Sequence, residues 1–223
     1  MKTYSLKAVF FDVGSTLVNS PGRSPNTLIA GYVNIPGVDS AAVGDIIMQE
    51  DFQTPAEVYE RLKAAFNGID PAAKEKIALL WESQPASLER IDAAYDVVKS
   101  FKDTGCKTGV ISNMWSPYYI AFREACPDLL SLIDYVALSF REGYRKPASE
   151  MFLRALDALK LDPQEVLMVG DTYENDIAPA MALGMKTIWV LSRLEHERQA
   201  LIKVLNGQWA RPMCCIDGIS ALV

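Results

Sequence analysis

The chain has 223 residues, half of them hydrophobic and 22% charged, with a formal net charge of −6. That size allows one domain, or one domain carrying a smaller insert, around a core that needs no disulfide staples. The negative balance argues against nucleic acid or anionic lipid as partner through a broad basic face. No apolar run approaches the ~18 residues of a membrane span.

The first apolar stretch, Ala8 to Phe11, ends at Asp12, so the N-terminus does not read as a secretory signal and a cytoplasmic location is expected. Lys7 to Phe11 reads as a buried strand followed by a tight loop through Gly14 and Thr16. Residues 20–38 are rich in Pro, Gly, Ser and Asn and read as a connector with one short helix over 26–33. Residues 40–49 carry Val43, Ile46 and Ile47 at helical spacing. Thr54, Pro55 and Glu57 form a capping-box start for a helix whose stripe is Val58, Leu62 and Phe66. Pro71 opens another, with Ile77, Leu80 and Trp81 on one face. No strand pattern falls between residues 20 and 90, so that segment is expected to be helix and loop throughout.

From about residue 91 helices and strands alternate. The expected helices cover 93–102, 116–125, 149–160, 174–183 and 194–205. The expected strands cover 107–112, 135–139, 166–169 and 185–191, with 213–216 as a last edge strand. Such alternation means βαβ units and a parallel sheet covered on both faces. The expected fold class is therefore α/β, a Rossmann-like parallel sheet with a small helical unit inserted after the first strand. Residues 1–19 and 90–223 form the core, and 20–89 the insert.

Cys106, Cys126, Cys214 and Cys215 make no metal-knuckle spacing and read as buried, reduced thiols. The single histidine, His196, excludes a His-rich metal site; it lies in a charge-rich helix and is expected to be solvated.

In a parallel sheet ligands bind outside the carboxyl ends of the strands. Asp12, Ser112, Asn113, Lys146, Asp171, Glu174 and Asp176 all follow strands at that rim. Several carboxylates on one rim repel one another unless a cation sits among them, and hard oxygen ligands with open positions suit Mg²⁺. A hydroxyl (Ser112 or Thr16) and the Lys146 ammonium can hold non-transferred phosphate oxygens. A carboxylate not consumed as a ligand can attack phosphorus. Glu174 reads as an exposed loop residue, and Arg141 and Arg145 as surface or loop charges, with contact to substrate as the lesser alternative.

Four segments carry a resemblance. Asp12-Val-Gly-Ser-Thr-Leu, Ile111-Ser-Asn, Arg145-Lys-Pro and Gly170-Asp-Thr-Tyr-Glu-Asn-Asp resemble, in order and spacing, motifs I to IV of the haloacid dehalogenase superfamily, whose members are mostly phosphatases. The resemblance implies that Asp12 is a nucleophile forming an aspartyl-phosphate. It implies that Ser112, with Asn113 and Thr16, and Lys146 hold the phosphoryl group. It further implies that Asp171 and Asp176 hold Mg²⁺ with Asp12 and the Gly14 carbonyl. The insert stands where the family places a C1-type cap, with hinges near 18–25 and 84–91. Trp115 and Tyr118, just beyond Ser112-Asn113, read as core packing or as contacts to the cap or the leaving group. The implied partner is a small phosphorylated molecule.

One position departs from the pattern. Family phosphatases usually carry Asp where this chain has Gly14, and that second Asp is the general acid and base. Weak activity on sugar phosphates and better activity on activated leaving groups is therefore expected, unless the cap supplies an acid. Two relatives also lack that Asp: metal-independent 2-haloacid dehalogenases, and phosphonate hydrolases that use a cap lysine. Neither Lys63, Lys74 nor Lys76 sits in a context that marks it for the second role, and the acidic motif IV suits a cation better than the first. A non-catalytic relative that binds a phosphorylated ligand or a protein is the remaining alternative.

Overall fold

The computed structural model describes residues 5–19 and 22–223; residues 1–4, Ser20 and Pro21, the last two in the first connector, lie outside it. Among the described residues six strands form one parallel sheet: β1 (Ala8–Phe11), β4 (Lys107–Ser112), β5 (Tyr135–Leu138), β6 (Val166–Gly170), β7 (Lys186–Val190) and β8 (Cys214–Ile216). Two short strands, β2 (Val18–Asn19) and β3 (Glu89–Arg90), pair separately and antiparallel. The large sheet runs β5-β4-β1-β6-β7-β8, the Rossmann order with β1 at the point where the chain switches direction.

Period-two alternation explains why these segments are strands. Ala8 and Phe10 of β1 face one apolar cluster, with Ile111, Val166 and Met168. Val9 and Phe11 face the other, with Val110, Leu167 and Val169. Every residue of β1 and β6 is buried, as central parallel strands require. The first cluster is closed by α9 (Ser149–Leu159) through Met151, Phe152 and Ala155, and by Ala180 of α10 (Ala178–Ala182). The second is closed by Val97 and Val98 of α5 (Ala94–Asp103) and Phe122 of α6 (Ser116–Ala125). No helix among the described residues is long and apolar enough to cross a membrane.

The insert holds α1 (Pro25–Val33), α2 (Ser40–Ile47), α3 (Pro55–Ala65) and α4 (Ala72–Ser83) around its own apolar cluster, including Ile29, Val43, Ile47, Val58, Leu62 and Ile77. The predicted capping box of α3 is formed on both sides by Thr54 and Glu57. Trp115 of the core belongs to this cluster: its ring meets Trp81 edge-on at 5.5 Å, and its indole N–H donates to Gln84 Oε1 at 3.2 Å.

Several expectations need correction. The segment 20–90 is not helix and loop throughout, because Glu89–Arg90 is a strand. It pairs with Val18–Asn19, so the chain enters and leaves the insert side by side. Two residues are too few to carry a periodic signal. Two short helices, α7 (Pro127–Ser131) and α8 (Ser139–Glu142), fall where only connectors were expected. The expected helix over 174–183 opens with a π-type turn, Tyr173–Ile177, before α10. Cys106 and Cys126 are buried, but Cys214 and Cys215 are exposed, because β8 is the sheet edge. The last helix, α11 (Leu194–Leu205), has the predicted bounds.

Candidate active site

Parallel pairing of β1 with both β4 and β6 brings their carboxyl ends to one point. Asp12 leaves β1 there, its backbone N–H donating to Val169 O at 2.9 Å. Ser112, the last residue of β4, donates its hydroxyl to Asp12 Oδ1 at 3.2 Å. The Lys146 ammonium donates to Asp12 Oδ1 at 2.7 Å, Asp176 Oδ1 at 2.5 Å and Ile111 O at 2.8 Å. That uses all three of its protons within a site where Lys146 is 3% exposed.

Asn113 fixes the loop that delivers this lysine. Its Oδ1 accepts from Lys146 N at 2.7 Å and its Nδ2 donates to Lys146 O at 2.8 Å. The side chain thus acts as a clamp on the Lys146 backbone. Thr16, by contrast, is fully buried, its hydroxyl has no hydrogen-bond partner among the described residues, and it does not line the cavity described below.

Oxygens of Asp12, Asp171 and Asp176 lie within 4.8 Å of one another, and all three residues are buried. Burial, then the charges of Asp12 and Asp176, pushes the Asp171 carboxyl up to about 7. Burial also pushes Asp176 up to about 6, against the pull of Lys146. Burial works against the Lys146 charge too, but Asp12 and Asp176 outweigh it and hold the ammonium above the usual lysine range. Two cations face three carboxylates, because Arg193 Nε donates to Asp171 Oδ2 at 2.6 Å. A dense, buried set of hard oxygen donors with residual negative charge fits a small divalent cation such as Mg²⁺.

Gly170 is required by this packing. A Cβ there would lie 2.5 Å from both Cβ and Cγ of Asp176. Gly170→Ala is expected to displace that carboxylate. Mg²⁺ titrations followed by thermal melting should give at least ~10-fold weaker stabilisation by the metal than in wild type, with overpacking costing ~1–3 kcal/mol of folding stability.

A cavity of about 710 Å³ opens above the cluster. Core residues Asp12, Gly14, Ser112, Lys146, Asp171 and Asp176 line it together with Arg23, Asn26, Thr27 and Met48 from the insert. Glu174 is exposed, as expected, and is not among its lining residues, but it lies in the π-type turn and not in a loop. His196 is exposed and lines the cavity. So do Trp115 and Tyr118.

Sequence reasoning missed Arg23 and Arg193, and it read Arg145 as a surface or loop charge with substrate contact only as the lesser alternative. Although the chain is negative overall, these arginines converge on the cavity with Lys146. For Arg193 a signal existed, since it follows β7 at the same strand-end rim.

The chain matches the family model described as haloacid dehalogenase-like hydrolase over residues 6–184. The chain belongs to this family. A glyceraldehyde 3-phosphate phosphatase of Pyrococcus abyssi is 33% identical over 104 residues, covering 47% of this chain and 43% of that protein. Another, of Methanothermobacter thermautotrophicus, is 26% identical over 234 residues and covers 97% of this chain and 98% of that protein. The match spans less than half the length of the Pyrococcus protein. Among solved structures, a HAD family enzyme of Bacteroides thetaiotaomicron in complex with magnesium and inorganic phosphate shares the fold. Its TM-score is 0.61 at 16% identity, covering 83% of this chain and 94% of that one.

Proposed function

We propose that the protein is a Mg²⁺-dependent phosphatase of a small phosphorylated metabolite, acting through an aspartyl-phosphate on Asp12. The observation that carries this reading is the convergence of Asp12, Ser112 and Lys146 beside the buried carboxylates of Asp171 and Asp176. The phosphatase names of the relatives support it.

In this reading an Asp12 oxygen attacks phosphorus, the bond from phosphorus to the leaving oxygen breaks, and the leaving group departs with the electron pair. Water then attacks the phosphorus of the aspartyl-phosphate and releases inorganic phosphate, restoring the carboxylate. Ser112 and Lys146 hold the equatorial oxygens and oppose their growing charge. Asp12, Asp171, Asp176 and the Gly14 carbonyl would hold Mg²⁺, which supplies charge neutralisation on the phosphoryl oxygens. Asn113 keeps Lys146 in register, and main-chain contact with phosphate from its loop complements that role. The Thr16 hydroxyl, buried beneath the loop, enters this scheme only as packing for the turn that carries Asp12.

The insert over 20–89 acts as a cap, and the paired connectors β2 and β3 give it a hinge that keeps its two ends together. The test is phosphate release from an aryl phosphate with added Mg²⁺ and with chelator. Turnover that needs the metal is expected, with at least ~10²-fold loss on chelation. Halide release from a 2-haloacid unaffected by chelator, without phosphate release, would instead make the protein a dehalogenase.

A further inference from the structure

The cavity is much larger than a phosphoryl group, and its charges divide unevenly. Every carboxylate that lines it belongs to the cluster of Asp12, Asp171 and Asp176. Two of the lining cations are committed to that cluster: Lys146 to Asp12 and Asp176, Arg193 to Asp171. Two others, Arg23 and Arg145, are not.

Arg23 lies just before α1 and makes no ion pair with any described residue. Arg145 leans from the core onto α2 of the insert. A Cβ at Gly44 would collide with its Nη1, so the glycine is the notch that receives the guanidinium. Its only ionic neighbour among the described residues is Asp45, 3.4 Å away and 60% exposed, a loose partner in water. A chain of net charge −6 thus places two weakly engaged guanidinium groups on a wall without carboxylates. Such groups recognise carboxylate and phosphate by charge-assisted, often bidentate hydrogen bonds.

We propose that Arg23 and Arg145 form a second anion subsite, so that the substrate is a phosphorylated compound carrying a further carboxylate or phosphate. The inference rests on the reading of Asp12 as the phosphoryl-accepting residue. Because Arg145 adjoins Lys146 and also rests on the insert, an anion held there ties the cap to the phosphoryl site.

The test is equilibrium binding by calorimetry, with Mg²⁺ present, of matched non-hydrolysable ligands. 3-Phosphonopropionate and propylphosphonate differ in the distal carboxylate alone, and ethylene diphosphonate carries a distal phosphonate in its place. Wild type should bind the two ligands that carry a second anionic group at least ~10-fold more tightly than propylphosphonate. The better of the two identifies the distal group as carboxylate or phosphate. Arg23→Gln and Arg145→Gln should each erase most of that preference and leave propylphosphonate affinity unchanged, while Arg145→Lys retains part of it. Equal affinity for all three ligands, no binding of any, or a loss shared equally by all three in the variants would overturn the proposal. Failure of the phosphatase reading is distinguishable, because it appears as absent aryl phosphate turnover and leaves the comparison of affinities intact.

Discussion

Asp12→Asn is expected to lower phosphate release by more than ~10³-fold while leaving the metal-free protein as stable as wild type, or up to ~4 °C more stable in Tm. The two effects have one origin. An amide cannot accept the phosphoryl group, but its oxygen can still accept from Ser112 and Lys146, as Asp12 Oδ1 does. The substitution also removes one of three crowded carboxylates whose burial and mutual repulsion hold Asp171 up to about 7. A carboxyl raised in the folded state costs stability once pH exceeds its unfolded value near ~4, and the cost grows until the folded value is passed. The gain in the variant should therefore be present at pH 7 and vanish as pH falls toward ~4. Lys146 loses one ionic partner but keeps Asp176, so with Arg193 the cluster moves from net negative to neutral. Melting curves in chelator at both pH values check this, and added Mg²⁺ should stabilise wild type more than the variant. A clear drop in metal-free Tm would make Asp12 a structural partner of Lys146 instead of a charge held in readiness.

The parts of this site that follow strands were legible in the sequence. Asp12, Ser112 and Asp171 stand at the ends of apolar runs that already imply a parallel sheet, and a parallel sheet gathers its strand ends; Asp176 follows in the same motif, and Lys146, beyond α8, was legible from its Lys-Pro context. Asn113 was legible as a site residue but its task was not, because only the structure brings its amide to the Lys146 backbone. The arginines escaped for another reason. Arg23 reaches the cavity through the placement of the insert over the core, a long-range arrangement with no local periodicity, and Arg145, although beside Lys146 in sequence, is turned toward α2 of the insert by the same arrangement. The exposed Cys214 and Cys215 illustrate the same limit: an apolar run predicts a strand, but edge or centre depends on which neighbours pair with it. The β2–β3 ladder, two residues on each side, forms because the connectors run antiparallel, and neither half carries a pattern of its own.

The other large effect concerns Gly14, which lines the cavity where family phosphatases usually place their general acid. Proton donation to a leaving oxygen is worth ~10²–10⁴-fold, and its value rises with the basicity of that oxygen. Without a donor, kcat/KM should fall steeply along a series from aryl to alkyl phosphates, with at least a ~10²-fold gap between its ends. Gly14→Asp should raise alkyl phosphate turnover by ~10²-fold or more and leave the best aryl substrate within about threefold. The slope of log kcat/KM against leaving-group pKa is the measurement, since a structural disturbance would lower the whole line without flattening it. A wild-type line that is already flat would mean that the chain supplies its proton from elsewhere. His196, exposed and lining the same cavity, is then the side chain to replace. A flat line that steepens in His196→Gln would transfer the acid role to that residue and retire the view that Gly14 leaves the reaction without one.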